Sequence, residues 1–271
     1  MNNILTGKQL WLGNAIAMND KEELTDFINQ LREAINQTIC SDLQQQRFNI
    51  AFRYIDHEVA SYYPYVLSLS GRNDDAAQWE RYGDGGRGTC ISFNTHRLYQ
   101  ILMGMCSNSK WMCSFQEVFY DYDIKKHTHY QRMLEYIHDE KSSIVLDRNN
   151  VDAEFERFVS NLIACAFFRK NKSFSAESEI RFAALMIENT GTKFKYGSID
   201  FEYLSGAIKK ILKLNLQDFF AKYNLQFADL IDEIIIGPRS PQSEDFLKDY
   251  LKALGLDELP ARVKKSNCPL R

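Results

Sequence analysis

Ser175-Ala176-Glu177-Ser178-Glu179-Ile180-Arg181-Phe182-Ala183-Ala184-Leu185-Met186 is the stretch on which the reading of this chain turns. The apolar run at 180–186 has the length and composition of a largely buried strand. Side chains alternate along a strand with period two, so Glu177, Glu179 and Arg181 are expected to share one face. Three ionisable groups on one face of a core strand are costly unless they pair with one another, hold a ligand or do chemistry. The plainer of these is an ion-pair network at a solvated strand end.

Working outward, strands and helices alternate along the whole chain. Strands are expected around Leu10-Trp11-Leu12 and at 65–70, 89–93, 116–122 and 231–236. Asn19-Asp20 caps a helix over 21–38, with Leu24, Phe27, Ile28, Leu31 and Ile35 on one side. Further helices are expected over 74–82, from Thr95, over 128–144 and over 152–170. The last begins at Ser240-Pro241 and runs to about 254, with a tail over 258–271. The mixture predicts a single α+β domain over 1–271, its sheet mixed or mainly antiparallel and flanked by helices.

Composition excludes several classes. The 271 residues carry a net charge of −3, with no basic stripe for nucleic acid. The short basic clusters Lys209-Lys210 and 262–265 read as a solvated helix face or tail. No apolar run reaches membrane-spanning length, and the N-terminus lacks the order of a signal peptide, so a cytoplasmic protein without membrane contact is expected. Six cysteines without a Cys-x-x-Cys pair fit a reducing compartment and core packing. Cys106 and Cys113 fit no zinc template, and His127 and His129 lie in a charged, surface-like stretch, so no metal is expected.

Two further groups are candidate binding residues. Ser68 and Ser70 share a face of their strand and offer hydroxyls to a ligand amide or ribose. Trp79 and Tyr82, three apart on a helix, fall on one side, where they either pack on the sheet or wall a flat ring. Asn19 and Asp20 follow a strand end, which leaves them a pocket role besides the helix cap. The glycine-rich turn at 83–88 precedes a strand rather than a helix and is read as a plain turn, not a phosphate loop.

In order, these blocks resemble a bacterial family. They are Met18-Asn19-Asp20 with Glu23, Ser68-Leu69-Ser70 leading to Trp79-x-x-Tyr82, and Gly86-Arg87-Gly88-Thr89-Cys90-Ile91-Ser92-Phe93. Lys170-x-x-x-Phe174-x-x-Glu177-x-Glu179-x-Arg181 and Glu233-Ile234-Ile235-Ile236-Gly237-Pro238 complete the set. The family is the domain of unknown function 2971, some members of which are linked with abortive phage infection. Phe174 stands where that family usually has tryptophan, and Lys21 where it often has proline. Such proteins commonly open with a Tyr-Lys-Tyr or Tyr-Arg-Tyr strand, which is expected to be absent or altered here.

A serine strand followed by a Glu-x-Glu strand also looks like the ADP-ribosyltransferase superfamily. That resemblance implies NAD as substrate and a protein or nucleotide as acceptor. It gives Ser68 or Ser70 the support of the nicotinamide ribose, and gives Glu179 the ribose hydroxyls and an oxocarbenium-like transition state. Glu177 would orient or deprotonate the acceptor. The superfamily's first-strand arginine or histidine has no evident counterpart, and nothing selects Arg72, Arg87 or Arg181 to replace it. The competing expectation is a catalytically silent sensor or interaction domain in phage defence. A metal-dependent nuclease ranks last, for want of a carboxylate cluster and a basic surface.

Overall fold

The computed structural model describes residues 2–15, 21–107, 111–120, 123–139, 152–187, 194–204 and 206–270. It opens with a single helical turn, α1 (Asn2–Leu5), and β1 (Gln9–Asn14), followed by α2 (Lys21–Asn36) and α3 (Asp42–Ser61). β2 (Tyr62–Ser70), α4 (Ala76–Tyr82), β3 (Thr89–Phe93), α5 (Thr95–Cys106) and β4 (Met112–Glu117) come next. Then follow α6 (Thr128–His138), α7 (Ala153–Ala166), β5 (Glu179–Ile187), β6 (Gly197–Leu204), β7 (Ala207–Asn215) and α8 (Leu216–Tyr223). β8 (Ile231–Ile236), α9 (Glu244–Ala253) and β9 (Val263–Lys265) complete the order.

The class is α+β, as expected, but the strands form two sheets. A six-stranded antiparallel sheet has the order β4-β5-β2-β1-β7-β6. A three-stranded sheet has the order β3-β8-β9, with β8 and β9 parallel. The nine-pair ladder from Tyr62↔Ile187 to Ser70↔Glu179 is the centre of the larger sheet.

Alternation along that ladder divides the apolar residues between two cores. Tyr62, Val66, Ala183 and Leu185 face a bundle of α2, α3, α6 and α7. The bundle supplies Phe27, Leu31 and Ile35 from α2, and Phe48, Phe52 and Ile55 from α3. From α7 come Phe155, Val159, Leu162 and Ile163, a stripe at helical spacing. Tyr65, Phe182, Ala184, Leu212 and Leu214 face the other way, against α5, α8, α9 and the small sheet. Each fully buried aliphatic or aromatic side chain contributes roughly 1.5–3 kcal/mol, so both faces of the sheet are needed.

Capping fixes several helix starts. Ser41, Asp75, Asn94 and Asp152 each accept a backbone N–H from the first turn of α3, α4, α5 and α7. One glycine is required by close approach: a Cβ on Gly237 would sit 2.3 Å from the Gly86 carbonyl oxygen. The glycine-rich turn is thereby clamped to the end of β8 by the Gly237 N–H···O=C Gly88 bond of 3.0 Å, and a plain turn suffices to describe it.

Several boundaries differ from expectation. The strand expected over 116–122 is β4, centred earlier, because Met112–Glu117 pairs with β5. The helix expected from Pro241 starts at Glu244 with Ser243 as cap, since Ser240 instead closes a turn by donating its N–H to Gly237 O. α6 ends at His138 with Asp139 capping, short of the expected 144, and 140–151 lie outside the described residues. Lys209-Lys210 lies on β7, and 262–265 includes β9, so neither is a helix face or a plain tail. Among the described residues no helix is long and apolar enough to cross a membrane.

The two-core arrangement predicts unequal costs for two aromatic truncations. Phe182→Ala should lose about 3–5 kcal/mol of stability in urea unfolding, by cavity formation in a closed site. Phe201→Ala, at a side chain 65% exposed on β6, should change it by less than about 0.5 kcal/mol.

Candidate functional site

The bundle face of the ladder changes character along its length. At one end Val66 lies opposite Ala183; further on Ser68 lies opposite Arg181 and Ser70 opposite Glu179. Directly opposed residues of an antiparallel pair share a face, so the serine pair and the Glu179/Arg181 pair line the same surface. Gln116 extends the row on β4, and Ser68 and Gln116 are exposed at its rim.

Glu177 reaches this surface by another route than strand alternation. It ends a 3-10 turn, Lys172–Glu177, and Ser178 then adopts a left-handed conformation with φ 44°. That kink removes Glu177 from the strand yet returns its carboxylate to the cluster. The turn is held by its own backbone: Ser70 Oγ donates to the Glu177 carbonyl at 2.9 Å, Gln78 Nε2 at 3.2 Å, and Gly71 N to Ser178 O at 2.7 Å.

At the centre stands Lys170, placed just after α7 by a short parallel bridge between the preceding Arg169 and Phe119. Phe119 N donates to Phe168 O at 2.9 Å and Lys170 N to Phe119 O at 3.1 Å. The Lys170 ammonium lies 2.9 Å from Glu177 Oε2 and 3.4 Å from Glu179 Oε2. Arg181 binds Glu179 in a fork, Nε to Oε1 at 2.5 Å and Nη2 to Oε2 at 3.0 Å, and donates Nη1 to the Phe167 carbonyl at 2.9 Å. Arg81 Nη1 and the Tyr82 hydroxyl close on Glu177 Oε1 at 3.1 and 3.3 Å. Tyr120 accepts the Glu179 backbone N–H at 2.8 Å.

Lys170, Glu177, Glu179 and Arg181 are each no more than 7% exposed, which makes the pairing obligatory rather than decorative. Three cations (Lys170, Arg181 and Arg81) meet two carboxylates. Burial pushes the Glu179 carboxyl upward, but the Arg181 fork, a hydrogen bond from Ser68 and the Lys170 charge outweigh it and hold it below 4.5. Glu179 is thus ionised at neutral pH.

The structure brings together Glu177, Glu179, Arg181, Ser68, Ser70 and Tyr82. Trp79 is separated from them: it is buried, with Nε1 donating to Asp74 Oδ1 at 2.9 Å, so packing accounts for it. Asn19 and Asp20 lie outside the described residues. Lys170, which the sequence offers only as the head of the family block, completes the site together with Arg81 and Tyr120, which no sequence motif picks out. Lys170 had a signal, its fixed distance before Glu177; Arg81 and Tyr120 arrive through tertiary structure alone. Phe174 packs its ring 4.9 Å from the Lys170 ammonium, a cation–π contact that tryptophan would also make.

A concavity of about 830 Å³ opens on the opposite face, over Leu69 and Ile180. Ser70, Gln78 and Tyr82 line it too, so the Glu177 turn is a partition between cleft and ion cluster. β1 carries no arginine or histidine. On the bundle face it presents Trp11, whose ring lies 4.9 Å from the Lys213 ammonium. Its ladder with β2 comprises Gly13↔Val66 and Asn14↔Tyr65 and stops before Ser68.

Residues 78–182 match the model of a family described as a protein of unknown function (DUF2971). The match runs from α4 through Phe182 and so covers Arg81, Tyr82, Lys170, Glu177, Glu179 and Arg181, though less than half of the chain. No curated protein and no solved structure matches the chain significantly.

The depressed Glu179 pKa has a definite sign in stability. Its contribution is complete above the ordinary carboxyl value and is lost as pH falls through the lower folded-state value. The gap in urea midpoint between the wild type and Glu179→Gln should therefore be wide at about pH 7 and shrink towards about pH 3. A gap that stays constant with pH would mean that the carboxylate is not stabilised by its neighbours.

Proposed function

We propose that the protein consumes NAD at Glu179, as an ADP-ribosyltransferase or NAD glycohydrolase of a bacterial phage-defence or toxin system. The observation that carries this reading is the shared face of Ser68, Ser70 and Glu179 on adjacent strands, with the Ser68 hydroxyl among the groups that hold the Glu179 carboxyl below its usual pKa. Had these groups faced opposite sides of the sheet, the reading would fail. The defence setting is carried by the family resemblance alone.

In this mechanism the bond between the ribose C1′ and the nicotinamide nitrogen breaks, and nicotinamide leaves with the electron pair. Positive charge then develops on the ribose ring, beside the Glu179 carboxylate, which also accepts hydrogen bonds from ribose hydroxyls. A fixed negative charge at a developing cation stabilises the transition state more than the ground state. A water or acceptor nucleophile forms the new bond to C1′ and gives its proton to Glu177, or through it to solvent.

One observation favours a second reading. Arg181 engages both oxygens of Glu179, and Lys170 approaches Oε2 as well. A carboxylate so fully used is what a structural ion network in a silent sensor domain requires.

The two readings separate on incubation of the purified protein with NAD, following free nicotinamide. The transferase reading expects release that falls by about 10²-fold or more in Glu179→Gln, as for loss of one preorganised electrostatic group. Turnover that survives the substitution removes Glu179 from catalysis. Absence of both release and NAD binding leaves the sensor reading.

A further inference from the structure

His127, His129 and Cys165 converge where the turn before α6 meets the last turn of α7. His127 caps α6, its Nδ1 accepting the His129 backbone N–H at 3.3 Å. The rings stack with centroids 5.0 Å apart, bringing the two Nδ1 atoms to 3.1 Å. Cys165 Sγ lies 3.8 Å from His127 Nε2. One donor atom from each residue falls within 4.8 Å of the others. The three residues are half-buried rather than surface-exposed, which corrects the sequence reading of this stretch.

A cationic group already sits against these donors. Arg169 Nη2 is 2.8 Å from His127 Nε2, and the guanidinium rests on the Phe119 ring at 4.4 Å. We propose that His127, His129 and Cys165 form a binding site for a soft divalent cation of the zinc class, whose place among the donors the Arg169 guanidinium takes in the metal-free protein.

The donor set selects this class of ion. Two imidazoles and one thiolate suit zinc and its neighbours, whereas magnesium and calcium require oxygen ligands. Tetrahedral bonds of about 2.0–2.3 Å place donors roughly 3.5 Å apart, so closing the site takes movements on the order of 1 Å. Three protein donors leave a fourth position for water. Charge also balances: a dication with one thiolate sums to +1, the charge of the guanidinium it displaces. On binding, Cys165 loses its proton to solvent and the metal–sulfur bond forms, while His127 ligates through Nε2, carries its one proton on Nδ1 and so gives up the His129 N–H it accepts in the metal-free protein; nothing is oxidised.

The test uses the full chain with zinc alone in calorimetry, and with cobalt as a spectroscopic probe. The proposal expects one equivalent of zinc bound with release of one proton, seen as heat that depends on the buffer. It also expects a thiolate-to-cobalt charge-transfer band that Cys165→Ser abolishes and His129→Gln weakens. Arg169→Met should tighten binding by about tenfold or more, since a competing group beside the ligands is removed. His127 is kept because it caps α6, and unchanged circular dichroism of each variant verifies folding. Failure of the folded wild type to bind zinc overturns the proposal. So does a cobalt band that persists in Cys165→Ser, which would assign the metal to another cysteine.

Discussion

The pairing of β2 with β5 organises the rest of the molecule. It is unbroken over nine residue pairs, and strand alternation gives every one of those residues a side. On one side the ladder builds a core with the small sheet and α5, α8 and α9; on the other it meets the four-helix bundle. The bundle does not cover the whole of its face. Beyond Val66 and Ala183 the facing residues are Ser68, Ser70, Glu179 and Arg181, and the buried charges there require partners. The candidate site is therefore a consequence of where the bundle ends.

Lys170 couples the two halves of that cluster. Its backbone is fixed to Phe119 at the end of α7, and its ammonium bridges Glu177, on the 3-10 turn, to Glu179, on the strand. Removing such a group would leave buried carboxylates undercompensated, which is the expensive case. The same arrangement holds Glu179 ionised and rigid, a condition that suits a transition state bearing positive charge as well as it suits a static network. Stability and the proposed chemistry use the same contacts, so structure alone does not separate them; turnover does.

Much of this was legible in the sequence. The strand containing Arg181, the serine strand, the α4 aromatics and β8 follow from local periodicity and turn residues, and they were expected nearly where they occur. Even the common face of Ser68, Ser70 and Glu179 follows from period two once the strands are neighbours. The path of Glu177 was not legible, because the left-handed Ser178 breaks the alternation that seemed to place three charges on one strand. The β6–β7 hairpin is legible in the sequence: Ile199, Phe201 and Tyr203 alternate with Asp200 and Glu202, and Gly206 supplies a positive φ of 83° after them. Lys209-Lys210 belongs to that hairpin, and only apart from its strand does the pair suggest a helix face. α3 likewise spaces Phe48, Phe52 and Ile55 on one side after a Ser41 cap. Arg81, Tyr120 and the meeting of Cys165 with the histidines depend on long-range packing, which no local pattern encodes.

The central claim is that the ligand belongs on the bundle face, at Glu179, and not in the cleft over Leu69 and Ile180. The most direct measurement is a crystal structure of the protein with a non-hydrolysable NAD analogue. The predicted result is the nicotinamide-side ribose against Ser68 and the Glu179 carboxylate. An analogue bound on the Leu69/Ile180 face, with Glu179 still forked to Arg181 and untouched, would contradict it.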